Sequence, residues 1–239
     1  MDTIRHHEHL HDSHNEAHLK SSDFITDIVI GMSDGLTVPF ALAAGLSGAV
    51  SNTELVIAAG IAEIVAGSVA MGLGGYLAGQ TEIEHYESEL KREYDEVERL
   101  PEREKQEVKE VFAEFGLSEN LQNAAVEELS KDKKKWVDFM MKFELGLEQP
   151  DPKRATKSAF TIGIAYILGG IVPLSPYFFT EDPQTGLAYS AVTTLICLFI
   201  FGYFKSKITG QQPLKGAIKV MLIGAAAAGA AFSVAKLFG

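Results

Sequence analysis

Three apolar runs constrain this chain more than any other feature: Ala159 to Phe179, Leu187 to Phe204, and Ala217 to Phe238, the last broken only by Lys219 near its start and Lys236 near its end. A helix crosses about 30 Å of hydrocarbon with roughly 20 residues at 1.5 Å each, so each run is long enough to span a bilayer. Two further segments precede them: Phe24 to Val50, which contains Asp27, Asp34 and Pro39, and Leu55 to Ala78, which contains Glu63. An acid at mid-bilayer costs about 3 kcal/mol even on lenient insertion scales, so these two are weaker by hydropathy. Their small residues nevertheless suit helices packed closely in a bundle.

The charge between the second and third runs is of another kind. From Thr81 to Gln149 there are twenty Asp plus Glu against eleven Lys plus Arg, which leaves nine of the chain's eleven net negative charges in this one segment. Nucleic acid is excluded as an expected partner, because binding a phosphate backbone needs clustered cations. Apolar residues recur there at helical spacing, Tyr86, Leu90, Tyr94 and Val97 early, then Trp136, Phe139, Phe143 and Leu147, which predicts three or four amphipathic helices. Pro101 is expected in a first helical turn and Gly116 at a helix end. With no breaker between Tyr76 and Leu100, the first of these helices is expected to continue from the second span.

The basic residues orient the spans. Every Lys and Arg except Lys236 falls in the N-terminal tail, in the acidic middle and just after it, or around the connection carrying Lys205, Lys207, Lys215 and Lys219. The opposite connections, Ser47 to Glu54 and Ser175 to Gly186, have none. This positive-inside asymmetry predicts a cytosolic N-terminus and acidic middle. Residues 1–22 form a polar tail with His6, His7, His9, His11, His14 and His18; it lacks the apolar core of a signal peptide and is read either as a loose metal binder or as a solubilising tail. The single Cys197 sits in an apolar run and is read as a small hydrophobe, with no intramolecular disulfide or cysteine-based metal site.

The expected architecture is an all-α membrane protein: spans one and two in 23–80, an inserted helical domain in 81–150, and spans three to five in 151–239. Within it, Asp34 precedes Pro39 by five residues, and proline cannot donate to the Gly35 carbonyl, so a break is expected to leave a backbone oxygen near an intramembrane carboxylate. Asp27 stands two turns earlier on the same face, about 10 Å along the axis. On the second span, Met71 is flanked by Gly67 and Gly75, with Glu63 about two turns before it. A thioether beside carboxylates favours first-row metals over Ca²⁺ or Mg²⁺.

In the acidic segment, Glu93 and Glu96, and Glu104 and Glu107, are three apart and project from one helix face each; Met140 and Glu144 are four apart, with Glu144 expected beside the core. For any one pair, a solvated charged face is the default reading. His85 forms a single Glu-x-x-His with Glu82, whereas a ferritin-like di-iron enzyme needs two such motifs, so no enzyme is expected.

The stretches Ser33-Asp34-Gly35-Leu36-Thr37-Val38-Pro39-Phe40, Met71-Gly72-Leu73-Gly74-Gly75-Tyr76-Leu77-Ala78 and Ile171-Val172-Pro173-Leu174 resemble the plant and fungal vacuolar iron transporters, from about Asp23 to the C-terminus. The resemblance implies a five-span homodimer in a vacuolar membrane, with its insert cytosolic and its C-terminus luminal. It implies exchange of cytosolic Fe²⁺ for luminal protons along a path between the two first spans, with Zn²⁺, Co²⁺ or Mn²⁺ as surrogate ions and no prosthetic group. Asp34 and Met71 match the family's transport site, with Glu63 a weaker match. Glu93, Glu96, Glu104, Glu107, Met140 and Glu144 match its cytosolic metal-binding domain, and Met141 and Asp27 are secondary candidates. A broad divalent-cation or Mn²⁺ transporter, and a membrane-anchored iron-binding or iron-oxidising protein, are the rival expectations.

Overall fold

The structure, a computed structural model, describes residues 22–238. The His-rich tail, with its histidine reading, lies outside the described residues. All regular structure among the described residues is helical. In chain order these are α1 (Ser22–Ala49), α2 (Thr53–Arg99), α3 (Pro101–Glu114), α4 (Glu119–Leu129), α5 (Lys133–Phe139) with a π-turn at Met140–Glu144, α6 (Arg154–Leu174) with a 3₁₀ turn at Ser175–Phe179, α7 (Pro183–Ile208) and α8 (Pro213–Phe238). Five of them, α1, α2, α6 with its 3₁₀ extension, α7 and α8, are long and apolar enough to cross a membrane. Each extends beyond or close to its apolar run, because polar interfacial turns continue a helix as readily as apolar ones do.

Two compact units result, one of residues 22–71 with 160–238 and one of Gly72–Ala159. In the first, α1 packs against α8 and α7, and α7 against α8. The small residues let α1 approach α6 backbone to backbone: a methyl group at Gly35 would lie 2.3 Å from the Tyr166 carbonyl oxygen, so nothing larger than hydrogen fits. Large apolar side chains such as Val65, Val69, Leu168, Ile196, Ile200 and Leu222 point outward from α2, α6, α7 and α8. Outward apolar faces of this extent suit lipid as solvent. Asp182 caps α7 by accepting from the Thr185 amide at 2.8 Å with Pro183 in the first turn, and Thr53 Oγ1, at the start of α2, donates across to the Glu181 carbonyl just before α7 at 2.7 Å.

One expectation is corrected in α1. The helix passes Pro39 without a break. A single missing donor does not interrupt a helix whose other carbonyls are bonded and whose proline ring is packed, here against the α6 backbone at Gly170.

The second unit closes around Val97, Val108, Val126, Trp136, Val137, Met140 and Met141, with Tyr86, Leu90, Tyr94, Phe112, Phe139 and Leu147 packed on them. The α2 helix runs unbroken to Arg99, and Pro101 opens α3, as the sequence predicts. After α3, Gly116 takes φ +81°, a left-handed turn that glycine adopts without strain. Asp132 caps α5 by accepting from the Lys134 and Lys135 amides.

Phe143 is a second correction: it is half exposed and lies outside the apolar core, stacked edge-on to Phe115 and tilted against Phe139. The cause is the π-turn, in which the Leu145 amide bonds to the Met140 carbonyl five residues back at 3.1 Å, so the extra residue per turn rotates Phe143 and Glu144 outward.

Candidate metal sites

In the first unit Glu63 and the turn that carries Asp34 meet at a side chain that periodicity did not single out, Tyr166 of α6. It is 2% exposed, and its hydroxyl donates a short hydrogen bond to Glu63 Oε1 on α2. Its backbone carbonyl abuts Gly35, next to Asp34, and Asp34 lies within electrostatic reach of its phenol. Gly67 makes the arrangement feasible, because a methyl group there would lie 2.4 Å from the Tyr166 hydroxyl oxygen. Glu63, Gly67 and Met71 follow at four-residue steps along one face of α2.

The other carboxylate oxygen of Glu63, Oε2, is buried without a hydrogen-bond partner. A carboxylate left half satisfied in an apolar setting is stabilised by a proton or a metal cation. Asp34 and Met71 are half-buried, while Asp27 is 4% exposed. The signal that could have found Tyr166 is its position: a polar tip within an otherwise apolar span needs a partner.

In the second unit, the Leu100-Pro101 corner sets the geometry. Proline disfavours helical backbone at the residue before it, so α2 ends at Arg99 and α3 starts in a new direction. The last turns of α2 then face the first turns of α3. Ligand oxygens of Glu93, Glu96 and Glu104 lie within 4.8 Å of one another. Glu93 and Glu104 are 2% and 1% exposed, and both oxygens of Glu104 and one of Glu93 have no hydrogen-bond partner.

Few cations face them. Arg92 stands 3.7 Å from both Glu93 and Glu96 but pairs more closely with Glu89, at 2.6 Å, and Arg103 pairs with Glu107 at 3.0 Å. Burial, then the neighbouring Glu107, Glu93, Glu96 and Glu144, push the Glu104 carboxyl up to about 7. Burial, then Glu107, Glu93 and Glu96, push Glu144 up to about 7 as well, against a partial opposing effect of Arg92. Glu93 is raised by burial first and by Glu96 next.

Glu144 belongs to this group electrostatically: the residue as a whole is exposed at the solvent edge of the cluster, while its carboxyl end is partly desolvated beside the other carboxylates. A divalent cation would discharge the repulsion that these shifts express, at a site whose donors are carboxylate oxygens. Met140 and Met141, 0% and 2% exposed, belong to the apolar core rather than to a solvated face. His85 is exposed on α2 near Glu89, at 3.9 Å.

Five membrane-length helices, with acids retained in the apolar runs of two of them, define a polytopic α-helical membrane protein, and the clustered carboxylates of Glu93, Glu96 and Glu104 form its candidate metal site. The chain belongs to the VIT family, whose model matches residues 25–236. It is 53% identical over 225 residues to vacuolar iron transporter 1 of Eucalyptus grandis, covering 94% of this chain and 90% of the relative. It is 52% identical over 226 residues to vacuolar iron transporter 1 of Arabidopsis thaliana, covering 95% and 90%. Protein CCC1 of Saccharomyces cerevisiae is 40% identical over 228 residues, covering 90% of this chain and 69% of the relative.

Proposed function

We propose that the protein moves Fe²⁺ from the cytosol into the vacuole in exchange for protons, as a homodimer with its N-terminus and acidic helical unit cytosolic and its C-terminus luminal. The observation that carries this reading is the trio Glu93, Glu96 and Glu104, two of them buried with carboxylate oxygens of Glu93 and Glu104 that no protein group satisfies, in a chain about half identical to proteins named vacuolar iron transporters. The basic residues gathered at one side of the spans support the orientation.

On this reading, Glu93, Glu96, Glu104, Glu107 and Glu144 collect the cation, with Met140 and Met141, buried in the adjoining apolar core, as the thioethers of the same unit. Asp34 and Met71, with Glu63 held by Tyr166, form the intramembrane site on a path between the first spans of two subunits. Asp27, buried two turns earlier on α1, is a secondary group there. One carboxylate cannot hold a proton and a metal ion together, so an acidic lumen releases the metal and protons return on the vacated groups. Tyr166 keeps one oxygen of Glu63 occupied and leaves the other for the cargo.

Uptake of Fe²⁺ by proteoliposomes containing the full chain tests this: the expected result is flux that accelerates when the interior is acidic. Flux indifferent to the pH gradient removes proton exchange, and no flux for any divalent ion removes transport. The all-carboxylate trio equally suits Mn²⁺, and competition by Mn²⁺, Co²⁺ and Zn²⁺ in the same assay separates an iron transporter from a broad one. The third reading, an anchored iron oxidase, gains nothing from the geometry: the described histidine outside the tail, His85, is exposed and apart from the trio.

A further inference from the structure

The end of the first unit where α7 gives way to α8 holds a cavity of about 620 Å³ lined by Ser33 and Thr37 of α1, Lys205 and Ser206 of α7, and Gln212, Lys215 and Lys219 of the connection and α8. No carboxylate among the described residues is within ion-pair distance of Lys205, Lys215 or Lys219, in contrast to the paired lysines of the acidic unit. Three cations around one concavity repel one another, and an anion seated among them removes that repulsion. The same place receives the positive end of the macrodipole of α8, a 26-residue helix.

A second observation gives the anion a shape. Contiguous with the cavity, and sharing Lys215, Lys219 and Ile223 with it, an open groove of about 490 Å³ runs along α8 over Ile218, Leu222, Ile223 and Ala226. A basic pocket at the end of the spans that continues as an apolar furrow along an outward-facing helix is amphiphilic in the same sense as a phospholipid. Basic pockets between membrane helices on the cytosolic side are suited to anionic headgroups.

We propose that this cavity and groove bind an anionic phospholipid, the phosphate between Lys205, Lys215 and Lys219 and one acyl chain along Ile218, Leu222 and Ala226. Ser33 and Thr37, on either side of Asp34 in the sequence, form the α1 wall, so an occupied site places a negative headgroup beside the turn that carries Asp34. The inference requires the membrane spans but not the identity of the transported ion, and it stands or falls separately from the transport reading.

The test uses the full chain, delipidated in detergent, titrated by native mass spectrometry with dioleoyl phosphatidic acid and with dioleoyl phosphatidylcholine. Retention of phosphatidic acid at least about tenfold tighter than phosphatidylcholine is expected, since both headgroups carry a phosphate but only phosphatidic acid brings net negative charge to the three lysines. The triple variant K205Q/K215Q/K219Q should lose this preference, and K236Q, at the far end of α8, should keep it; both are exposed or half-exposed positions, and size-exclusion profiles verify that the variants fold.

Equal binding of the two lipids, or an unchanged preference in the triple variant, overturns the proposal. Inorganic phosphate or glycerol 3-phosphate displacing the lipid at comparable concentration also overturns it, because the occupant is then a free phosphate and the groove has no role.

Discussion

The two carboxylate sites of this protein solve the problem of a buried acid in opposite ways. In the membrane-spanning unit the acids are few, and the protein spends neutral groups on them: Tyr166 bonds one oxygen of Glu63, and Gly67 makes room for the ring. In the acidic unit the carboxylates are crowded together, with Arg92 drawn mainly to Glu89, so Glu104 and Glu144 are driven up to about 7. A lone carboxylate with one oxygen occupied is a stepping stone, able to hold a cation briefly and exchange it for a proton. A crowd of mutually repelling carboxylates is a reservoir, whose affinity comes from the repulsion a cation relieves. On the proposed transport reading, the same residue type serves passage in one place and capture in the other.

That contrast breaks most readily at Asp34. Fe²⁺ uptake into proteoliposomes should fall to the level of empty vesicles in D34A while metal binding to the purified protein is retained; uptake at the normal rate ends the idea of an intramembrane carboxylate step. In the reservoir, E93Q/E104Q should weaken Co²⁺ binding, measured by calorimetry on the full chain, by roughly 100-fold, with transport slowed rather than lost. Equal binding by the double variant would show that the cluster is only a charged surface.

The pH dependence sharpens the comparison. Because folded Glu104 and Glu144 titrate near 7 instead of 4.5, the folded state binds more protons than the unfolded one between those values. Their contribution to stability is therefore fully present below about 4.5 and lost as pH rises through about 7. Thermal unfolding of the metal-free protein in detergent should show its acidic unit melting at lower temperature at pH 8 than at pH 5. Added Co²⁺ should restore the melting temperature at pH 8 and do little at pH 5, and a metal effect independent of pH would contradict the shared-charge account.

Smaller effects are expected at the support of Glu63. Y166F keeps the ring and removes the hydrogen bond, and should cut transport roughly 10-fold, the lower end for an outer-shell partner, without altering Co²⁺ binding. G67A forces a methyl group against the Tyr166 hydroxyl and should cost about 1–3 kcal/mol of stability, read as a lower melting temperature. If G67A is as stable as the parent, the close packing of α2 against Tyr166 is not required.

Much of this could be read from residues in order. The runs containing Asp34 and Glu63 were visible as spans despite their acids, and the absence of a breaker after Tyr76 foretold a helix that leaves the span and continues to Arg99. Within single helices, three-residue spacing placed Glu93 with Glu96 and Glu104 with Glu107 on shared faces. The meeting of Glu93, Glu96 and Glu104 needs the corner at Leu100 and Pro101, whose angle depends on how α3 packs on the apolar core. Helical periodicity also assumed 3.6 residues per turn, so it carried Phe143 into the core; a π-turn leaves no mark in the pattern of apolar residues that precedes it.

By itself, the amino-acid sequence determined what each segment can tolerate as surroundings, because transfer to lipid and helix continuation depend on about 20 neighbouring residues at a time. Five membrane-length helices, an acidic helical stretch, and the acids that stand out in each were fixed at that level. The tertiary structure decided which side chains from distant segments share a site: Tyr166 with Glu63, 103 residues apart, and the three lysines around one cavity. Such pairings depend on the angle and rotation at which helices cross, and these follow from close packing among glycines and small residues, which local sequence constrains only weakly.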